Sequence, residues 1–193
     1  DGDVISQFFA FHTDYRGGVD VATGDVDADG VDEIITVPQR DASPIIRTFS
    51  FDGTLLREFL SFPETMKAGL NVAAADLNRD DVAEIITAPR QGGGPQVRVF
   101  ESDGNIISQF FAYGQSFRGG VDVAATRSIQ GSGAMIVTSA GPGGGPQVRM
   151  FSRYGVSRGQ FFPYSTQFRG GVRVSIGDVD EDSRGPEILT APA

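Results

Sequence analysis

A six-residue segment that recurs at a regular spacing, Gly17-Gly18-Val19-Asp20-Val21-Ala22, decides how this chain is organised. It returns 102 residues later as Gly119-Gly120-Val121-Asp122-Val123-Ala124, and half of that spacing leads to Ala68-Gly69-Leu70-Asn71-Val72-Ala73. A fourth copy, Gly170-Gly171-Val172-Arg173-Val174-Ser175, stands 153 residues after the first. A fixed period of this length is typical of repeat architectures. We therefore predict one array of four units, 1–50, 51–101, 102–152 and 153–193, the last of them truncated.

Each unit is predicted to contain four short strands, a to d in chain order. In the first unit strand a covers residues 5–9, strand b 19–22 and strand c 33–36, while residues 96–100 are strand d of the second unit. Glycine and proline lie between these segments, where they do not interrupt a strand. Strands a and c carry apolar residues on both faces, as expected of a sheet packed between two neighbours. Four antiparallel strands about every 50 residues predict an all-β chain of β-propeller blades. A β-solenoid is the alternative, although its usual repeats are shorter.

Composition and charge narrow the classes of function. The chain has 26 glycines in 193 residues, which indicates many tight turns, and its net charge is −9. Because a negative chain repels phosphate backbones, nucleic-acid binding is not expected, and metal cations or basic surfaces are more natural partners. Cysteine is absent, which excludes disulfides and thiolate chemistry. No apolar run is long enough to span a membrane, so membrane insertion is not predicted. The chain opens at Asp1 rather than methionine, which suggests processing or excision and leaves a removed export signal open.

The loop between strands b and c of the first unit is predicted to bind calcium. Its candidate ligands, at positions 1, 3, 5, 7 and 9, are Asp25, Asp27, Asp29, the backbone carbonyl of Val31, and Glu33. Gly30 at position 6 permits a sharp turn. Carboxylates at this spacing converge on one point, and calcium takes 6–8 oxygen ligands. An EF-hand begins similarly, but it needs its closing glutamate at position 12 and a helix on each side.

The corresponding loops of the other units keep this pattern to different degrees. The second unit offers Asp76, Asn78, Asp80, the Val82 carbonyl and Glu84. The fourth offers Asp178, Asp180 and Asp182, with one extra residue that moves Glu187 to position 10. The third has Arg127, Ile129, Gly131 and Met135 at the four side-chain ligand positions, so no metal is predicted there and Arg127 is a candidate to occupy the cation's place. Asp, Asn and Gly also make good hairpin turns without a metal, but two complete sets at matching positions favour calcium.

The flanks of these loops complete a pattern that resembles the FG-GAP and VCBS repeats of integrin-α-like propellers. Phe117-Arg118-Gly119-Gly120 and Phe168-Arg169-Gly170-Gly171 stand near the family's Phe-Gly element, with an inserted arginine. Thr87-Ala88-Pro89 and Thr190-Ala191-Pro192 match its Gly-Ala-Pro element apart from the first residue. The resemblance implies extracellular or cell-surface display, blades stiffened by calcium, and adhesion or ligand recognition by the ring. It also includes lectins and a few enzymes built on related repeats.

Three classes of function follow from these observations. The first is a calcium-stabilised, non-enzymatic scaffold for adhesion or for binding a protein or glycan. The second is a lectin, with Arg16, Arg118 and Arg169 beside the strand b glycines as candidate ligand contacts, together with neighbouring aromatics such as Phe117. For the lectin, the alternative is that these side chains pack and pair within the fold. The third, a metal-assisted hydrolase, is disfavoured because the single histidine, His12, cannot complete a catalytic triad. The chain is accordingly predicted not to be an enzyme.

The strand count also bears on ring closure. Fifteen strands are predicted, because no strand d follows in the fourth unit, and a propeller normally closes by pairing strands from its two ends. We therefore expect an open array, completed either by further blades in the parent protein or by self-association through an exposed strand edge. The alternative is a four-bladed ring with one three-stranded blade, because strand d is outermost and contributes least to closure.

Overall fold

A computed structural model describes residues 2–127, 133–180 and 185–193 of the chain, and all of its regular structure is β. Three consecutive sheets have four strands each and the last has two. Sheet 1 consists of β1 (Val19–Gly24), β2 (Glu33–Pro38), β3 (Ile45–Phe49) and β4 (Leu55–Leu60). Sheet 2 consists of β5 (Leu70–Ala75), β6 (Glu84–Pro89), β7 (Gln96–Phe100) and β8 (Ile106–Phe111). Sheet 3 consists of β9 (Val121–Thr126), β10 (Met135–Ala140), β11 (Val148–Phe151) and β12 (Ser157–Phe161), and sheet 4 of β13 (Val172–Gly177) and β14 (Glu187–Pro192).

All strand pairs are antiparallel, and neighbours in each sheet are also neighbours in the chain. The prediction of an all-β chain made of tandem antiparallel sheets is confirmed. The finer prediction of fifteen strands is corrected to fourteen among the described residues, because the first predicted strand, residues 5–9, does not form. No helix long and apolar enough to cross a membrane is found in the described parts of the chain.

The sheets do not coincide with the sequence units. The strands predicted as strand a are the fourth strands β4, β8 and β12, and each pairs with strand d of the preceding unit. The reason is local: a tight turn such as that at Gly53 joins strand d to the next strand a, and strands joined by a short turn pair as a hairpin. The expectation that each unit builds a sheet from its own strands a to d was therefore wrong. Residues 5–9, the sequence equivalent of β8, form no strand in the structure.

The first strands of the four sheets lie side by side, β1 against β5, β5 against β9 and β9 against β13. Apolar side chains fill the space between consecutive sheets; Ile35 and Ile85 contribute to the core between sheets 1 and 2, and Ile86 and Ile136 to that between sheets 2 and 3. Every residue of β6 is buried, because sheet 2 is covered on both faces. The row of sheets is open, since β1 does not pack in this way against β13 or β14.

The sheets are also joined by hydrogen bonds that repeat from one junction to the next. The backbone N–H groups of Asp41, Gly92 and Gly143 donate to carbonyls just before the first strand of the following sheet. Between sheets 1 and 2 the Asp20 carboxylate accepts the Val72 N–H at 3.0 Å. Between sheets 3 and 4 the Asp122 carboxylate accepts the Val174 N–H at 2.9 Å in the same way. These contacts hold the beginnings of the first strands in register, and at the other end the Ala83 N–H donates to the Asp25 carbonyl at 2.6 Å. The candidate sites lie at these two ends of the first strands.

Candidate functional site

The loop between β1 and β2, residues 25–33, is called acidic loop 1 and forms a group of converging carboxylates. One oxygen from each of Asp25, Asp27 and Asp29 lies within 4.8 Å of the others. Asp25 accepts hydrogen bonds from the N–H groups of Ala28, at 2.7 Å, and Gly30, at 2.9 Å. Both donors have positive φ angles, 64° and 86°, so the backbone curls around the Asp25 side chain. The sequence spacing thus produces the convergence that was predicted for positions 1, 3 and 5.

Glu33 lies at the base of acidic loop 1 and outside this group of three. Its side chain is buried, and Oε2 accepts the Val26 N–H at 2.9 Å. Burial raises the pKa of Glu33, and the negative charges of Asp27, Asp29 and Asp25 raise it further, although the Val26 bond opposes them. The described contacts of Val31 are through its N–H, which donates to Asp29 at 2.8 Å. Glu33 therefore secures the loop on β2 while carrying an unfavourable charge.

The raised pKa of Glu33 predicts a pH-dependent effect of Glu33→Gln in calcium-free buffer. The protonated carboxyl stabilises the fold below the unfolded-state pKa of glutamate, and this contribution is lost as the pH rises through the higher folded-state pKa. Glutamine keeps an acceptor for the Val26 N–H and removes the charge. We expect the variant to melt above the wild type at pH 7 and the difference to disappear near pH 4, as measured by thermal denaturation. Glu33→Ala, which leaves that N–H unpaired, should melt lower at both pH values; a pH-independent difference for Glu33→Gln would contradict the argument.

The loop between β5 and β6, residues 76–84, is called acidic loop 2 and repeats this architecture. The buried Asp76 accepts N–H groups from four loop residues, including Arg79 at 2.6 Å and Asp81 at 3.1 Å. Glu84 takes the role of Glu33, since its Oε2 accepts the Leu77 N–H at 2.6 Å. Burial raises the pKa of Glu84, and nearby carboxylates add to that rise. The equivalence predicted between the two loops is therefore present in their hydrogen bonds.

The other predicted ligands of acidic loop 2 are engaged with one another. Asn78 Nδ2 donates to Asp80 Oδ2 at 2.7 Å, and Asp80 Oδ1 accepts the Val82 N–H at 3.0 Å. The four carboxylates of this loop contribute no compact group of three like that of acidic loop 1 within the described structure. Among the predicted ligand positions, the asparagine at position 3 is the one difference between the two loops.

A cationic side chain from the next sheet also reaches acidic loop 2. Arg127 Nη1 lies 2.8 Å from Asp81 Oδ1 and 3.3 Å from Asp76 Oδ2. The hypothesis that Arg127 occupies the place of a cation in the loop of its own unit is therefore corrected, because it forms ion pairs with acidic loop 2 of the preceding unit. Ile129 and Gly131, the predicted substitutes for ligands in the third unit, lie outside the described residues.

The loop between β13 and β14, residues 178–187, is called acidic loop 4 and contains a second compact group. It consists of Asp178, Asp180 and Glu187, with one oxygen of each within 4.8 Å of the others. Glu187 Oε2 accepts the Val179 N–H at 3.0 Å, the bond that Glu33 makes in acidic loop 1. The extra residue before Glu187 therefore does not remove it from its structural role. Sequence reasoning omitted Glu187 as a ligand because it counted positions, whereas its place at the start of β14 was the better signal. The predicted ligand Asp182 lies outside the described residues.

These groups fit a hard cation. Each offers carboxylate oxygens in a short loop, which is the ligand chemistry that calcium prefers. Within the described residues, Asp25, Asp27 and Asp29 form no salt bridge with lysine or arginine, so their like charges are not balanced by a side chain. By the clustering of their carboxylates, acidic loops 1 and 4 could each hold a metal ion.

A cavity of about 580 Å³ opens at the other end of the first strands, opposite the acidic loops. It is called the arginine funnel, and all four sheets contribute to it through residues at or just before the start of their first strands and residues that follow their second strands. Its charged and amide side chains are Arg16, Arg40, Arg90, Arg173, Asp122, Asn71, Gln39 and Gln91. Sequence analysis identified only Arg16 of these arginines, because the others are not at equivalent positions of the repeat.

The three arginines predicted to contact a ligand share a local structural role. Nη1 of Arg16, Arg118 and Arg169 donates to two backbone carbonyls of the turn that precedes it, for example 2.5 Å from Arg118 to Gln115 and 2.8 Å to Phe117. Only Arg16 of the three lines the arginine funnel. The structure therefore shows these arginines closing their own turns and does not bring them together.

The aromatic residues beside these arginines pack within the fold. Phe117 lies against Tyr113 with ring centroids 5.9 Å apart, and Phe168 lies against Tyr164 at 5.6 Å. The Tyr15 hydroxyl donates to the Arg40 carbonyl at 2.7 Å. These contacts account for the recurrence of the aromatic residues as packing of one turn against its own sheet.

Comparison with known proteins gives matches in structure but not in sequence. No family model and no curated protein matches this sequence. The solved structures that are similar include a rhamnogalacturonan lyase from Bacillus licheniformis, with 18% identity and a TM-score of 0.60, covering 88% of this chain and 39% of that one. An exotype rhamnogalacturonan lyase, YesX, matches with 16% identity and a TM-score of 0.61 over 88% of this chain and 38% of its own. This chain thus spans about two-fifths of the length of those lyases.

These matches correct the prediction that the chain is not an enzyme. That prediction treated the repeats as a binding scaffold, yet the same fold occurs within enzymes. At identities of 16–18% the likeness establishes the fold and assigns no reaction. The lack of a catalytic triad does not decide the question either, because a lyase need not use one.

Proposed function

We propose that this chain is a calcium-stabilised segment of an extracellular β-propeller that binds carbohydrate at the arginine funnel. The observation that carries the proposal is that the two ends of the first strands carry different groups. Carboxylate groups follow these strands in acidic loops 1 and 4, while a polar cavity built by all four sheets precedes them. Metal ions at one end hold the strands that shape the cavity at the other.

Four further points support the proposal. The loops and flanking motifs resemble the FG-GAP and VCBS repeats, whose members are calcium-binding propellers displayed outside the cell. The structurally similar lyases act, by their names, on the polysaccharide rhamnogalacturonan. Calcium is also available outside cells at concentrations that weak oxygen sites require. A propeller also explains why the sheets follow one another with their first strands side by side.

Calcium binding is tested by thermal denaturation in calcium and in a chelator. An ion that binds only the folded state at a hundredfold excess over its dissociation constant adds about 2.7 kcal/mol of stability per site. We expect Asp27→Ala to abolish the contribution of acidic loop 1 and to lower the calcium stoichiometry by one in calorimetry. Asp32→Ala is the matched control, because it removes a carboxylate of the same loop that is not a predicted ligand. Equal melting temperatures with and without calcium would contradict the proposal.

Carbohydrate binding is tested separately by affinity electrophoresis of the calcium-loaded protein through gels that contain neutral or acidic polysaccharides. Retardation by at least one polysaccharide, relative to a protein of similar size and charge, is the expected result. Migration unaffected by every polysaccharide would contradict the carbohydrate part of the proposal and leave the calcium part to its own test.

A further inference from the structure

The arginine funnel has a charge opposite to that of the protein as a whole. Four arginines and one aspartate line it, whereas the chain carries 25 acidic residues against 16 lysines and arginines. A cavity with a local positive excess attracts anions even in an acidic protein, because close charges outweigh distant, screened ones. The funnel is thus distinguished chemically from the rest of the surface.

One of these arginines is held in place by a chain of hydrogen bonds. Arg90 Nη1 donates to Asn71 Oδ1 at 2.6 Å, and Asn71 Nδ2 donates to the Val121 carbonyl at 2.7 Å. Asn71 is buried, and the two bonds link the turn after β6 to the first strands of sheets 2 and 3. An arginine oriented in this way loses little freedom when it binds an anion, which strengthens binding.

A second arginine, Arg173, occupies a repeat position at which the other three units have a side chain bonded to the next sheet. Asp20, Asn71, Asp122 and Arg173 occupy equivalent positions of β1, β5, β9 and β13. The first three bond to the backbone of the following sheet. The Arg173 side chain makes no hydrogen bond or salt bridge in the described parts of the chain, although Asp122 is near enough to interact with it electrostatically, and it lines the funnel in an exposed position. Its guanidinium is available to a ligand.

The single carboxylate in the funnel does not cancel these charges. Asp122 Oδ2 accepts the Val174 N–H at 2.9 Å, so one of its oxygens is used to join sheets 3 and 4. Burial raises the pKa of Asp122, and it interacts electrostatically with Arg173 and Arg90, which lower it. Arg40 is paired with Asp41 at 3.8 Å, so the positive excess belongs to Arg16, Arg90 and Arg173.

We propose that the arginine funnel binds the carboxylate groups of an acidic saccharide, with Arg90 and Arg173 as the recognition residues. Guanidinium groups pair with carboxylates through two parallel hydrogen bonds, which gives direction as well as charge. A volume of about 580 Å³ is within the range of pockets for small ligands and accommodates a few sugar residues rather than a lone ion. The saccharide part of this inference depends on the proposed function, whereas the preference for carboxylate comes from the funnel itself.

The test compares tri-galacturonic acid with its methyl ester, which has the same sugars without the charges. With calcium held constant, isothermal titration calorimetry should show that the acid binds at least about tenfold more tightly than the ester. Arg90→Gln and Arg173→Gln should each weaken binding of the acid by about tenfold or more. Arg57→Gln, an exposed arginine on the outer strand β4, is the control of equal charge and should leave binding unchanged. Because Arg173 is exposed, its variant remains informative even if Arg90→Gln impairs folding.

The outcomes separate this inference from the proposed function. Equal binding of acid and ester overturns the carboxylate preference and leaves carbohydrate binding standing. Binding of the acid that Asp27→Ala abolishes, but Arg90→Gln and Arg173→Gln leave intact, places the saccharide on calcium in acidic loop 1 and overturns the inference. Tight binding of inorganic phosphate in competition with the acid identifies a general anion site and overturns the saccharide assignment. Binding of neither sugar overturns both the inference and the carbohydrate part of the proposed function.

Discussion

Gly120→Ala is expected to lower the free energy of unfolding by about 3 kcal/mol. Gly120 has a φ of 85°, and a Cβ atom added there would lie 2.6 Å from the backbone carbonyl carbon of Arg90 and from the backbone nitrogen of Gln91. Neither atom can rotate away, because both belong to the turn that packs sheet 2 against sheet 3. An alanine therefore adds a steric clash of about 1–3 kcal/mol to the cost of the left-handed backbone, about 1–2 kcal/mol.

Gly143→Ala is the matched control for this prediction. Gly143 has the same φ of 85°, but a Cβ there would meet nothing within 4 Å. The free energy of unfolding of Gly143→Ala should fall only by the cost of the left-handed backbone, about 1–2 kcal/mol. Urea denaturation followed by fluorescence or circular dichroism measures this loss. Equal losses for the two variants would show that the close approach of consecutive sheets does not govern stability.

Asp76→Ala is expected to destabilise the protein by about 3 kcal/mol even when calcium is absent. The Asp76 carboxylate is buried and accepts four backbone N–H groups of acidic loop 2, so its removal leaves those donors without their partner. It also removes the ion pair with Arg127 that joins the loop to sheet 3. Urea denaturation in a chelator isolates this metal-independent part.

The companion variant Asp76→Asn distinguishes the stability that comes from the hydrogen bonds of the turn from the stability that comes from calcium binding. Asparagine retains one oxygen acceptor and loses the charge, so it should retain more stability than alanine in the chelator. In calcium it should nevertheless lose the additional stabilisation that a bound ion provides to the wild type. If Asp76→Asn and the wild type gain the same stability from calcium, acidic loop 2 is a hydrogen-bonded turn and not a calcium site.

Acidic loops 1 and 2 differ in how the negative charges of their carboxylates are balanced. Acidic loop 1 has three converging carboxylates and no described salt bridge to them, whereas Arg127 from the next sheet neutralises part of acidic loop 2. A cation in acidic loop 2 would have to coexist with that guanidinium or displace it. The repeat thus balances part of acidic loop 2 with an arginine of the neighbouring sheet, whereas the proposed calcium ion would balance acidic loop 1.

The sequence by itself determined the strand content, the period of 51 residues and the convergence of the loop carboxylates. These features depend on interactions over short chain distances. The bonds that curl acidic loop 1 around Asp25, for example, join residues two to five positions apart. Local spacing therefore sufficed to predict which residues of the loop would come together.

The tertiary structure decided the features that join residues far apart in the chain. Strand a pairs with the preceding unit because a hairpin turn outweighs the boundary suggested by the repeat, and Arg127 contacts Asp81, 46 residues earlier, because sheets 2 and 3 pack together. The arginine funnel is the clearest case. Arg90 and Arg173 do not occupy equivalent repeat positions, and they share a cavity only because four sheets place their first strands side by side. A sequence pattern shows which residues recur. A binding cavity can also be formed by residues that do not recur, and only the packing of the sheets brings these together.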